Sequence, residues 1–204
     1  MEHPLNSIRH GYLEVICGCM YSGKTEELIR QLRRCEYARQ NYQVFKPVVD
    51  DRYSEDEVCS HNQDSISAQV IEDIYDLYRH LRHDTQVVGI DEAQFFSDDI
   101  LEVVNKLVKN GRRVIIAGLD TDWKGRPFGP MPNLLACADL IHKQYAICMV
   151  CGEAATRTQR LVNEDKDILV GSFRVYEARC RRHFDPDLSF LQKPPKNPPP
   201  LRPV

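Results

Sequence analysis

The stretch that most restricts how this chain can fold is Gly18-Cys-Met-Tyr-Ser-Gly-Lys-Thr25, set directly behind the apolar run Tyr12 to Cys17. The spacing G-x4-G-K-T makes a phosphate-binding loop. Gly18 and Gly23 let the backbone curl so that successive N–H groups converge on a phosphate, and the helix that follows presents the positive end of its dipole. Lys24 then reaches the β- and γ-phosphates, and the Thr25 hydroxyl is a ligand for Mg²⁺. Eight residues alone also admit a glycine-containing strand-to-helix turn, so the surrounding chain has to decide.

That context is a βαβ unit. Tyr12 to Cys17 reads as a buried parallel strand. Thr25 to Ala38 places Leu28, Leu32 and Cys35 at helical spacing, with Glu26 and Glu27 in the first turn and Arg33 and Arg34 towards the end. Gln43 to Lys46 is a second strand ending at Pro47. Pro47 to Ser67 is polar and lacks a period, so it reads as a long loop. Ile71 to Leu81 carries helical spacing, Gln86 to Asp91 is a strand ending in an acid, and Asp98 to Asn110 is an amphipathic helix capped by Asp98 or Ser97 and stopped at Gly111. Arg113 to Leu119 is a further Val/Ile-rich strand. Asp120 to Pro132 is a stiff loop bearing Trp123 and Phe128, with a short helix at Asn133 to Ala138 and a strand at Leu140 to Ile147 beyond it. This alternation predicts an α/β fold with a mostly parallel sheet flanked by helices, with ligands at the carboxyl ends of the strands.

Composition narrows the class. A chain of 204 residues buries enough surface to need no disulfide, and its net charge of −3 gives no global drive towards nucleic acid or an anionic membrane. Neither an apolar leader nor a span of about 20 apolar residues is present, so the expectation is a soluble cytoplasmic protein without a membrane partner. In that reducing compartment the 8 cysteines call for a use other than disulfides. From Asp185 the chain holds 7 of its 12 prolines, including Lys193-Pro-Pro-Lys-Asn-Pro-Pro-Pro, and reads as an extended tail over 185–204.

Two further constellations carry chemistry. Asp91-Glu92 closes an apolar strand, where an acid can hold Mg²⁺ beside Thr25 and its neighbour can serve as general base. Standing alone such a pair is more often a turn or a helix cap; behind a phosphate-binding loop in a βαβ unit the functional reading prevails. Cys148-x2-Cys151 and Cys180-x2-His183 have the two-pair spacing of a tetrahedral structural Zn²⁺ site that holds the intervening segment 152–179. The other reading is reduced cysteines with a bystander histidine. Arg174, Arg179, Arg181 and Arg182 crowd the second pair and read as a solvated or acid-paired cluster rather than a nucleic-acid surface.

Taken together, Gly18 to Thr25, Asp50-Asp-Arg-Tyr53, Asp91-Glu-Ala-Gln-Phe-Phe96, Leu119-Asp120 with Arg126-Pro-Phe-Gly129, and the Cys148/Cys151/Cys180/His183 quartet resemble the type II, zinc-containing thymidine kinases of the bacterial and cellular class, over about residues 11 to 185. The resemblance implies a RecA-like P-loop domain at 11–147, a zinc-binding lasso subdomain at 148–184, and ATP-dependent phosphorylation of thymidine with Mg²⁺. It makes Glu92 the general base, with Arg52 and Lys24 stabilising charge. The nucleotide and its cation fall to Gly18, Met20, Tyr21, Ser22, Gly23, Lys24, Thr25, Asp50, Asp91 and Gln94. The thymine ring falls to Met20, Phe95, Leu119, Trp123 and Phe128, and the lasso contacts to Thr158, Val170, Gly171, Ser172 and Tyr176. A homotetramer inhibited by thymidine triphosphate is implied as well. Three residues depart from the family pattern: Cys19 where Pro is usual, Trp123 in place of Phe or Tyr, and Ser172 at a position commonly Gly.

Overall fold

The computed structural model describes residues 10–48, 57–59, 65–162 and 175–187. Its centre is a six-stranded sheet, every neighbouring pair parallel, in the order β5-β2-β6-β7-β1-β8. The strands are β1 Tyr12–Gly18, β2 Tyr42–Pro47, β5 Gln69–Ile71, β6 Val87–Ile90, β7 Arg113–Leu119 and β8 Leu140–Lys143. Three small antiparallel ribbons accompany it: β3 Glu57–Cys59 with β4 Ser65–Ser67, β9 Ala146–Ile147 with β10 Ala154–Ala155, and β11 Arg157–Arg160 with β12 Tyr176–Arg179.

Because side chains alternate along a strand, β1 feeds two cores. Leu13, Val15 and Cys17 pack on one face with Ile100, Val103, Val104 and Leu107 of helix α3 (Ile100–Lys109) and with Met131 and Leu134 of helix α4 (Met131–Cys137). Ile16 points to the other face, against Leu28, Ile29, Leu32 and Cys35 of helix α1 (Lys24–Tyr37). Helices thus cover both faces, as an all-parallel sheet requires. Glu14 lies on the α1 face and is buried, with one carboxylate oxygen 2.6 Å from Arg113 Nε and the other 3.3 Å from His142 Nε2.

The β1-α1-β2 unit is present, but its strands are not neighbours, since β7 and β6 stand between them. Other expectations need correction. The span Pro47 to Ser67 contains the β3–β4 ribbon and is not wholly loop. The helix expected over Ile71 to Leu81 shrinks to a 3₁₀ turn at Ile74–Asp76 and a single α turn, α2, at Leu77–His80, because Gln69–Ile71 is spent on pairing with β2. Helix α3 begins one residue beyond Asp99, and neither Ser97 nor Asp98 caps it; Ser97 Oγ instead donates to Asp99 Oδ2 at 3.1 Å. Helix α4 starts earlier than expected, at Met131. The strand expected over Leu140 to Ile147 is two, with β8 in the large sheet and β9 in a ribbon. Among the described residues no helix is long and apolar enough to cross a membrane.

Candidate active site

Parallel pairing puts the carboxyl ends of β1, β6, β7 and β8 on one edge of the sheet, and the register sets Gly18 opposite Leu119. Gly18 is an obligatory glycine: at φ 154° an added Cβ would stand 2.5 Å from the Gln144 carbonyl and 2.7 Å from Ser22 Oγ. The loop then passes through Tyr21 at φ 64° and Gly23 at φ 80° before α1 begins at Lys24. For Tyr21, a non-glycine residue in the left-handed region, such backbone is unfavourable by about 1–3 kcal/mol and persists where the surroundings enforce it. Inside the loop, Ser22 Oγ and Lys24 Nζ both donate to the Cys19 carbonyl, each at 2.8 Å.

The first half of the loop is fastened from outside by the ribbon β11–β12 and its neighbours. Met20 N–H donates to Thr158 Oγ1 at 3.0 Å, the Tyr21 hydroxyl to the Tyr176 carbonyl at 3.2 Å, and the Cys19 thiol to the Ala155 carbonyl at 3.4 Å. Cys19 is fully buried in a small core with Ala146, Cys148, Ala155, Ala178 and Cys180. The departure at position 19 is therefore packed and hydrogen-bonded, with burial pushing its thiol pKa up.

Strand β6 delivers the acids. Thr25 Oγ1 donates to Asp91 Oδ2 at 3.2 Å, and the Glu92 N–H donates to Asp91 Oδ1 at 2.9 Å. Burial, with the neighbouring Glu92 charge second, pushes the Asp91 carboxyl up to about 7; the Glu92 N–H, Lys24 and Thr25 act in the opposite direction. Glu92 sits at φ 52°, ψ 37°, the second left-handed non-glycine residue of the site. Gln94, on the turn Ala93–Phe95, donates from Nε2 to Glu92 Oε2 at 2.5 Å and accepts the Leu119 N–H at 2.9 Å.

The turn after the acids carries Phe95, and the loop after β7 carries Phe128 and Trp123. Phe95 and Phe128 meet edge to face with centroids 5.5 Å apart. The Trp123 ring carries two cations, Arg160 at 4.7 Å and Lys124 at 4.6 Å. Arg160 is among the largest fully buried side chains and had no place in the sequence reading. The one signal for it was its position two residues beyond Thr158 on the same strand face, which becomes informative once β11 is known. Lys143 Nζ at the end of β8, 2.7 Å from the buried Asp120 carboxylate that follows β7, was likewise missed.

The quartet Cys148, Cys151, Cys180 and His183 converges, with all four ligand atoms within 4.8 Å of one another. Cys151 and Cys180 sulfurs are 3.9 Å apart, and His183 Nδ1 lies 3.3 Å from Cys180 Sγ and 3.7 Å from Cys148 Sγ. A tetrahedron with Zn–S bonds of about 2.3 Å has edges of about 3.8 Å, so the donors fit that ion. Arg179 of the nearby cluster pairs with Glu177 at 2.5 Å, while Arg181 and Arg182 are exposed.

The structure thus brings together Gly18, Met20, Tyr21, Ser22, Gly23, Lys24, Thr25, Asp91, Glu92 and Gln94, with Leu119, Thr158 and Tyr176 touching them or the loop. Asp50, Arg52, Val170, Gly171, Ser172, Arg174 and the proline-rich tail from residue 188 lie outside the described residues.

Comparison with known proteins agrees with this arrangement. The family model described as thymidine kinase matches residues 11–184. A thymidine kinase from Bdellovibrio bacteriovorus (strain HD100) is 52% identical over 178 residues, covering 87% of each chain. A P-loop fastened to a Cys3His knot, acids on the strand behind it and a match running through all of these lead to one conclusion: this chain belongs to the thymidine kinase family.

Proposed function

We propose that the chain transfers the γ-phosphoryl group of ATP to the 5′-hydroxyl of thymidine, releasing ADP and thymidine monophosphate. The observation that carries the mechanism is the meeting of Thr25, Asp91 and Glu92, where the Thr25 hydroxyl and the Glu92 N–H both donate to the Asp91 carboxylate, so a hydroxyl and a carboxylate suited to a metal stand next to the residue that carries the second acid. Mg²⁺ would be held by Thr25 and Asp91, and it would neutralise charge on the β- and γ-phosphates. Lys24 releases the Cys19 carbonyl to reach those phosphates, and Arg52 adds charge stabilisation, while Asp50 serves on the nucleotide side. Glu92 accepts the hydroxyl proton as the 5′-oxygen bonds to phosphorus and the bond to ADP breaks. Phosphoryl transfer needs little covalent chemistry, so positioning and charge dominate.

Thymine is a flat ring with one methyl group. In this reading Met20, Phe95, Leu119, Trp123 and Phe128 would take the ring, and the lasso residues Thr158, Val170, Gly171, Ser172 and Tyr176 would supply the further contacts; what supports it is the edge-to-face pair Phe95–Phe128 and the tie from Met20 N–H to Thr158. Cys148, Cys151, Cys180 and His183 would hold Zn²⁺, which would tie that subdomain together. The free, buried Cys17, Cys19 and Cys35 suit a reducing cytoplasm. Inhibition by thymidine triphosphate and a homotetramer belong to the same proposal; the exposed Ile141 on the edge strand β8, with Tyr145 and Ile147 just beyond it, supports association, which light scattering tests.

The test is an incubation with γ-labelled ATP and a panel of nucleosides. Labelled thymidine monophosphate is expected. Release of phosphate stimulated by DNA or RNA would point to a nucleic-acid-coupled ATPase, and nucleotide binding without turnover would point to a sensor. Glu92→Gln should bind both substrates and lose about 10²- to 10⁴-fold in kcat; a near-normal kcat would remove Glu92 as the base.

A further inference from the structure

We propose that Gln94 is a positioning residue for this reaction, its amide locking the Glu92 carboxylate to the end of β7, and not a ligand of the nucleotide or its cation. The inference rests on the reading of Glu92 as the base. Both ends of the amide are engaged: Oε1 accepts the Leu119 N–H at 2.9 Å, and Nε2 lies 2.5 Å from Glu92 Oε2. A backbone N–H can only donate, so the oxygen must face Leu119 and the NH₂ must face the carboxylate. The amide orientation is therefore set by chemistry and leaves no ambiguity of assignment. Gln94 is buried to 2% exposure, so its amide is engaged inside the protein.

The surrounding chain makes room for this side chain at two separate elements. A Cβ on Gly118 would stand 2.8 Å from Gln94 Oε1 and 2.8 Å from Met131 Sδ. A Cβ on Gly129, at φ 48°, would stand 2.2 Å from the Gln94 carbonyl. Glycine at both places leaves the Gln94 turn wedged between β7 and the loop that carries Trp123 and Phe128.

The geometry also distributes the two oxygens of Glu92. With Oε2 engaged by Gln94, the proton of the acceptor hydroxyl is assigned to Oε1. In the transfer the 5′-oxygen forms its bond to the γ-phosphorus, the bond from that phosphorus to the β-bridging oxygen breaks, ADP departs with the electron pair, and the hydroxyl proton passes to Glu92 Oε1. Gln94 takes no part in bond making. It removes the rotational freedom that a glutamate side chain would otherwise have to lose in each turnover.

Steady-state kinetics of Gln94→Met, Gln94→Asn, Glu92→Gln and the double variant Glu92→Gln/Gln94→Met test this. Emission from Trp123, the single tryptophan, reports folding and thymidine binding for each. Gln94→Met removes both hydrogen bonds at similar length and should lower kcat on the order of 10- to 100-fold, with KM for ATP and thymidine within about twofold. Gln94→Asn keeps the amide but is one methylene too short to span Glu92 and Leu119, and should behave alike. In the Glu92→Gln background Gln94→Met should change kcat by less than about twofold, since no proton acceptor remains to be positioned. A raised KM for ATP with kcat preserved would make Gln94 a nucleotide ligand and overturn the inference. So would losses that multiply in the double variant. If Glu92→Gln falls and Gln94→Met does not, the inference fails alone; if Glu92→Gln keeps its kcat, the base assignment fails and takes this inference with it.

Discussion

Gly118 shows how closely single atoms are spaced around the Gln94 amide. Its missing Cβ is what admits the Gln94 amide and Met131 sulfur, each 2.8 Å from where that atom would be. Gly118→Ala should destabilise the protein by about 1–3 kcal/mol through overpacking and lower kcat at the same time, read by urea unfolding and by turnover. Trp123 and Arg160 form a second residue-scale unit, because a fully buried guanidinium needs the ring face that it stacks on. Trp123→Leu should reduce stability by about 0.5–2 kcal/mol and raise the thymidine KM, whereas Trp123→Tyr should retain most of both. The motif residues Gly18, Lys24, Thr25, Asp91 and Glu92 were legible because each belongs to a spacing with a mechanism. Arg160 and Lys143 were not, since a lone cation in a polar stretch has no period, and its burial is decided by elements distant in sequence.

Elements follow the same division. Strand β1 was readable as an apolar run, yet it carries Glu14 within it, buried on the α1 face. Arg113 of β7 reaches Glu14 at 2.6 Å and Gln31 of α1 at 2.6 Å, so the pair ties the phosphate-loop strand to its neighbour strand and its helix. Glu14→Leu alone should destabilise by about 1–3 kcal/mol because it takes the carboxylate from a half-buried guanidinium that keeps Gln31, and the double change Glu14→Leu/Arg113→Met should recover most of that loss in thermal unfolding. Long strands and α3 announced themselves by period. Three-residue strands such as β5 did not, and its pairing with β2 overrode the helical spacing of Ile71 to Leu81. The turn that remains starts where Asp73 accepts the Tyr75 N–H at 2.7 Å, a capping arrangement that local sequence alone could not rank above the longer helix.

On the scale of the whole molecule, the Cys3His knot and the phosphate loop share one small core through Cys19. A metal that served only the segment 152–179 would matter for thymidine alone. The hydrogen bonds from Cys19, Met20 and Tyr21 to the β9–β12 region make a different prediction. Purified protein should contain about one Zn²⁺ per chain, and chelation should raise the KM for ATP as well as for thymidine, measured before and after zinc is restored. The order and spacing of motifs by themselves determined the fold class, the phosphate loop, the paired acids and the four metal ligands, because each is a local pattern with its own chemical reason. Tertiary structure alone decided that β7 separates the loop strand from the acid-bearing strand, that Gln94 grips Glu92, and that the metal knot fastens the phosphate loop. Those contacts join residues far apart in the chain, and the parallel register and packing that bring them together leave no trace in local periodicity.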